Sequence, residues 1–281
     1  MTRFGPSGND KSFYEQGYKA STQAPKWLKE KMGLNAFEIN FARSPRMSIE
    51  TAHKMGEEAR KYDIELSAHA PYFVNLTNDD AFEKNYKWIR DCLFLLNEMG
   101  YKRLVVHLAS QGSHTREKAL EKVEKNLRAI IKRLDDEGLS NWLMCIETMG
   151  KYSYIGTLEE ICALCKIDPR IIPTLDFGHL NCLEQGELSR NPNRIGEIID
   201  YVEREIGLEK LKQVHIHFSA IVYGEKGERW HTTIDDEPWA IPFEPLANVI
   251  KEKDLKPVII CESADIMAQD AKRLKQIFEK I

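Results

Sequence analysis

Eight histidines occur in the chain, and six of them gather with carboxylates where short apolar runs end. "ELSAHAP" carries His69, "RLVVHLAS" carries His107 and "WLMCIETMG" carries Glu147. "TLDFGHL" ends on Asp176 and His179, "KQVHIHFS" holds His215 and His217, and "KPVIICES" ends near Glu262. A longer polar stretch adds Glu228 and His231 in "GERWH". Only His53, on a helical segment, and His114, in a loop, stand outside the set. Each residue alone has an ordinary reading: a strand histidine is a core residue, and a carboxylate such as Asp176 caps the next helix. Gathered at one place, so many acids and imidazoles would repel, shift pKa or stay wet. Divalent cations resolve that conflict, because carboxylate oxygen and imidazole nitrogen are their natural donors.

These residues are scattered over two hundred positions, so the fold must bring them together. Apolar runs at 3–8, 36–40, 65–71, 103–110, 142–150, 171–180, 212–219 and 256–263 read as buried parallel strands. Between them lie amphipathic stretches. Residues 81–99 repeat apolar positions at three and four, 115–136 end before Gly138, and "SIETAHKMGEEARKYD" opens on Ser48. Eight strands alternating with helical crossovers predict an α/β fold, a single (β/α)8 TIM barrel over residues 1–281. Active sites of such barrels lie at the carboxyl ends of the strands, which is where the imidazoles and acids fall. His215 and His217, two apart, share one face of their strand. The longest irregular stretch, 220–243, is expected to be functional.

Composition narrows the partners. No run reaches the roughly 18 apolar residues of a membrane helix, and "MTRFGPSGND" carries no apolar signal region, so the expectation is a cytoplasmic protein off the membrane. "GPSG" after the first strand is not GxGxxG, so no nucleotide cofactor is expected. Of six scattered cysteines, Cys162 and Cys165 form a CxxC at helical spacing with no second pair, read as buried thiols. A net charge of −4 opposes wholesale adsorption to nucleic acid but not a local site.

The ordered series "SAHAPY", "VVHLAS", "CIETMG", "TLDFGHL", "VHIHFS", "GERWH" and "ICES" resembles endonuclease IV, the apurinic/apyrimidinic endonuclease of the xylose isomerase-like barrel superfamily. The resemblance covers about residues 3 to 280. It implies a zinc-dependent hydrolase that cuts double-stranded DNA 5′ to abasic sites, with water activated by three zinc ions; separately from the resemblance, a monomer is expected. By this resemblance His69, His107 and Glu147 hold one ion. Glu147 bridges to a second, held with Asp176, His215 and Glu262, and His179, Glu228 and His231 hold the third. Glu147 and Glu262 are the implied catalytic residues. Three dications would exceed the four ligand carboxylates by about two charges, enough for local phosphate attraction. Tyr72 stands where the family inserts an aromatic at the lesion, and "RSPRMS" resembles its basic loop, with Arg43 and Arg46 on the DNA. The chain departs from the family in three places. It has Glu-x-x-His for Asp-x-His at 228–231, no aromatic after Arg46, and "FGPSGN" for Gly-x-His-x-Ser.

The rival on the same barrel is a sugar isomerase or epimerase, which resembles the chain at Glu147, Asp176, His215 and Glu262 around a single ion. His69, His107 and His231 discriminate, since one ion has no use for them. A third reading is a binding protein that kept the pocket and lost turnover.

Overall fold

The computed structural model describes residues 1–281. Eight short strands form the centre: β1 Arg3–Pro6, β2 Ala36–Asn40, β3 Glu65–His69, β4 Arg103–Val106, β5 Leu143–Glu147, β6 Ile171–Asp176, β7 His215–His217 and β8 Val258–Cys261. Each lies within one of the eight runs expected from sequence. Every pairing is parallel, and the spatial order β1-β8-β7-β6-β5-β4-β3-β2 follows the chain around a ring. The ring closes where β2 meets β1. The Asn35 N–H donates to Phe4 O (3.1 Å), the Gly8 N–H donates to Glu38 O (2.9 Å), and Ser7 bridges Glu38. Gly5 permits that closure, because a Cβ there would lie 1.9 Å from the Ala36 carbonyl oxygen.

Helices wrap the ring, and their sequence signals match. Ile49–Tyr62 starts at Ser48, whose hydroxyl accepts the Thr51 N–H at 3.1 Å. Phe82–Met99 turns Tyr86, Ile89, Leu93 and Leu96 inward at helical spacing. Arg116–Asp136 ends two residues before Gly138, which takes a left-handed φ of 77°. Cys162 and Cys165 sit buried and free on the helix Leu158–Cys165. No helix is long and apolar enough to cross a membrane.

The core has two parts. A cluster of 70 buried residues fills the layer between strands and helices. Burying each large side chain there is worth about 1.5–3 kcal/mol, so this outer layer carries most of the stability. Two small sets pack separately: Val105, Leu143, Cys145 and Ile172, and Ala36, Val258 and Ile260. They alternate along their strands with residues of the large cluster, which makes them the inner faces of the barrel. Further along those inner faces the buried residues turn polar: Glu38, Ser67, His69, Glu147, Thr174, Asp176, His215 and His217.

The stretch 220–243 is not irregular throughout. Ala220–Gly224 and Gly227–Thr232 form an antiparallel hairpin over the barrel mouth. The β6 run also ends sooner than its apolar pattern suggests. Residues Phe177–Leu183 are already helix, so His179 belongs to a first helical turn rather than to a strand.

Candidate metal centre

The strand ends and the hairpin bring the expected residues into three adjoining groups, each with ligand atoms within 4.8 Å of one another. The first is His69, His107 and Glu147. Nε2 of His69 lies 3.3 Å, and Nε2 of His107 3.0 Å, from the same Glu147 oxygen, Oε2. His69 Nδ1 lies 2.8 Å from the Ala70 carbonyl oxygen. A carbonyl only accepts, so Nδ1 carries a proton, and Nε2 is the nitrogen turned to Glu147.

The second group is Glu147, Asp176, His217 and Glu262. His217 Nδ1 is 3.3 Å from Glu147 Oε1, 3.3 Å from Glu262 and 3.8 Å from Asp176. Glu147 therefore turns one oxygen to each of the first two groups. Asp176 also has two tasks. Its Oδ1 accepts the His179 N–H at 2.7 Å, capping the helix Phe177–Leu183, while its buried Oδ2 has no hydrogen-bond partner. An orphaned buried carboxylate oxygen facing an imidazole marks a position suited to a cation. Asp176 thus caps the helix with one oxygen and keeps the other free of a hydrogen bond beside His179 and His217.

The third group is His179, Glu228 and His231. His179 Nδ1 lies 2.9 Å from the Thr148 carbonyl oxygen, which leaves Nε2 aimed at Glu228, 3.4 Å away. His231 Nδ1 lies 2.9 Å from Ser219 Oγ. Residues three apart on a regular strand face opposite ways, so Glu-x-x-His should fail to converge. A β-bulge corrects it. Trp230 pairs with Val222 and Glu228 with Tyr223, and Arg229 is the extra residue between them. The bulge returns Glu228 to the face of His231, while Trp230 is exposed. Two glycines seat the hairpin: Cβ atoms at Gly227 and Gly150 would lie 2.1 Å from the Gly150 carbonyl oxygen and 2.6 Å from the His179 ring, respectively.

One expected ligand lies elsewhere. His215 pairs in register with Thr174, whereas His217 pairs with Asp176. His215 is thus one inner layer deeper, its Nε2 3.1 Å from Glu38, and His217 occupies the place expected of His215 beside Asp176 and Glu262. Both face inward, as a spacing of two requires; the correction concerns the layer alone. Glu38 is absent from the residues expected at the site. Its signal is a carboxylate in mid-strand in "AFEIN", flanked by Phe37 and Ile39 and in phase with Asn40 at the mouth.

The electrostatics reflect crowding. Burial pushes Glu147 upward, yet the His107 and His217 imidazoles outweigh it and hold this carboxylate well below the usual range. Burial dominates at Asp176 instead and raises it, with Glu147 adding to the rise. Burial raises Glu228 and Glu262 too, but His179 and His217, respectively, bring each down to about 2. Burial lowers His179, but Asp176, Glu147 and Glu228 lift it well above the ordinary histidine value. Protons on imidazoles thus balance the acids, and divalent ions can replace them. The donor set, all imidazole nitrogen and carboxylate oxygen, fits zinc or a similar dication.

A cavity of about 520 Å³ opens over the groups, lined by Tyr72, Asn40, His107, His179, Glu228, His231, Glu262 and Lys151 among others. Tyr72 is 43% exposed, and its ring lies 5.0 Å from that of His69. Burial pushes its phenol up to about 12, so it stays a neutral hydroxyl. Arg43 and Arg46 follow β2 in an exposed loop with no carboxylate partner, and neither lines the cavity.

A closed eight-stranded barrel with a histidine- and carboxylate-rich mouth defines the class. The sequence model described as xylose isomerase-like TIM barrel matches residues 27–277, and the chain belongs to that family. An uncharacterized protein of Methanocaldococcus jannaschii is 29% identical over 253 residues, 89% of each chain. "Probable endonuclease 4" of Mycoplasma pneumoniae is 26% identical over 222 residues, covering 76% of this chain and 73% of that one. Among solved structures, endonuclease IV from Thermus thermophilus superposes with a TM-score of 0.71 at 21% identity, over 99% of this chain and 100% of the other. A D-tagatose 3-epimerase-like protein gives 0.70 at 20% identity, over 99% and 96%. At those identities the two structures speak for the fold alone.

Proposed function

We propose that this protein is a zinc-dependent phosphodiesterase that incises double-stranded DNA 5′ to abasic sites, acting as a cytoplasmic monomer. The observation that carries the reading is the division of nine side chains into three ligand groups around a shared Glu147, with His69, His107 and His231 all engaged. The relatives named "Probable endonuclease 4" support it. In this reading His69, His107 and Glu147 hold one ion, Glu147, Asp176, His217 and Glu262 a second, and His179, Glu228 and His231 a third. Bound there, the ions supply Lewis acidity to a phosphodiester and lower the pKa of water.

The protein's own groups do the rest. Glu262 reaches the cavity, where its carboxylate is placed to accept a hydrogen bond from the attacking water and orient it. Glu147 fixes the spacing of the first two groups by giving each one oxygen. Tyr72 offers a partly exposed aromatic face beside the groups for the gap left by a missing base. Arg43 and Arg46, unpaired on their loop, are free to take backbone phosphates.

A second reading has its own support. Glu147, Asp176, His217 and Glu262 form a four-ligand set by themselves, sufficient for a single-ion sugar epimerase on the same barrel. One experiment separates the two. A duplex oligonucleotide with a single tetrahydrofuran residue is incubated with zinc-loaded protein. Cleavage immediately 5′ to that residue is expected; an intact duplex, together with interconversion of ketohexoses, would overturn the nuclease.

A further inference from the structure

Beneath the second ligand group, the barrel interior holds a polar cluster that the proposed chemistry does not use. Glu38, on β2, is fully buried. Its Oε2 accepts the Ser67 hydroxyl at 2.8 Å and lies 3.1 Å from His215 Nε2. Its Oε1 lies 3.2 Å from His217 Nε2. Those last two atoms are buried and have no hydrogen-bond partner.

Two ligand histidines contrast with His217. His69 and His179 each have a backbone carbonyl oxygen at Nδ1, of Ala70 (2.8 Å) and Thr148 (2.9 Å), and a carboxylate beyond Nε2, although His179 Nδ1 also lies 3.3 Å from Glu147. His217 has carboxylates at both ring nitrogens. Its Nδ1 faces Glu147 and Glu262, and its Nε2 faces a carboxylate. For Nδ1 to offer a lone pair, Nε2 must carry the proton. A buried N–H without an acceptor costs about 1–3 kcal/mol, and Glu38 is the acceptor within reach.

We propose that Glu38 is a positioning residue: it holds the Nε2 proton of His217, fixes the tautomer that ligates through Nδ1, and strengthens the Glu147–Asp176–His217–Glu262 position. A carboxylate behind a ligating imidazole raises its basicity more than a neutral oxygen does. Ser67 and His215 hold Glu38 in place from its other oxygen. A fourth cation between Glu38, His215 and His217 is the competing use of the same atoms. It would strip both ring protons from His217 and force one imidazole to serve two ions.

The inference rests on the ligand assignment proposed above only at its second position, which the nuclease and epimerase readings share, so failure of DNA cleavage leaves it standing. The test compares the full-length protein with Glu38→Gln, which keeps the shape and removes the charge. Zinc is withdrawn by stepwise chelator competition, and bound equivalents are counted. The equivalent at this position is expected to weaken about 10–100-fold. In wild-type zinc-loaded protein, long-range 1H–15N correlations of the His217 ring are expected to place its proton on Nε2. That measurement needs no variant to fold. Unchanged affinities in Glu38→Gln, a proton on Nδ1, or an additional wild-type equivalent that the variant loses would each overturn the proposal.

Discussion

Asp176 shows how much one side chain can be asked to do at this site. Its Oδ1 starts a helix by accepting the His179 N–H, and its Oδ2 is left facing His217. Capping and ligation are therefore coupled, and His179 is delivered to the third group by the same bond. Glu262 likewise has two proposed roles, as a ligand of the second ion and as an acceptor at the cavity beside His217. Glu262→Gln keeps its size but removes the charge that orients water. Steady-state kinetics on an abasic duplex should show kcat lowered by about 10²–10⁴-fold, with DNA affinity close to wild type. Parallel losses in cleavage and binding would instead make Glu262 a DNA contact. At this scale the sequence is informative about residue type and less so about depth. Which of His215 and His217 meets the acids depends on strand register, one layer apart, and a spacing of two says only that both face inward. Glu38 escapes notice because a lone acid inside an apolar strand has no motif of its own.

At the scale of elements, the eight strands are legible because each is an apolar run bounded by polar sequence, and the helices because their caps and periodicity agree. The hairpin over the mouth is not legible. "AIVYGEKGERWHTT" does not alternate cleanly, since the bulge at Arg229 interrupts the period that would reveal a strand. That interruption is also what makes Glu-x-x-His workable, so the departure from Asp-x-His is compensated by backbone geometry. The hairpin depends on Gly227, with φ 92° and a carbonyl 2.1 Å from any added Cβ. Gly227→Ala should cost about 1–2 kcal/mol from the left-handed backbone alone, read as a lower unfolding midpoint. It should also cost one zinc equivalent, because Glu228 is carried off with the strand. A variant that unfolds at the wild-type midpoint and keeps its full metal content would refute this account of the hairpin.

For the molecule as a whole, stability and chemistry are assigned to different layers. The large apolar core outside the barrel is independent of the polar interior, which frees the inner faces of the strands to collect acids and imidazoles. In the ion-free protein those groups balance one another with protons. His179 and His217 lose to burial but gain more from the surrounding carboxylates, so both hold protons to higher pH than an ordinary histidine. Ions must displace those protons, so metal affinity rises with pH across the neutral range and falls as the pH drops. The central claim is that this mouth holds several ions rather than one. Elemental analysis of zinc-replete protein after removal of loosely bound metal, at a pH above neutrality, tests it most directly. The account predicts about three zinc ions per chain; a single ion that saturates the protein would contradict it.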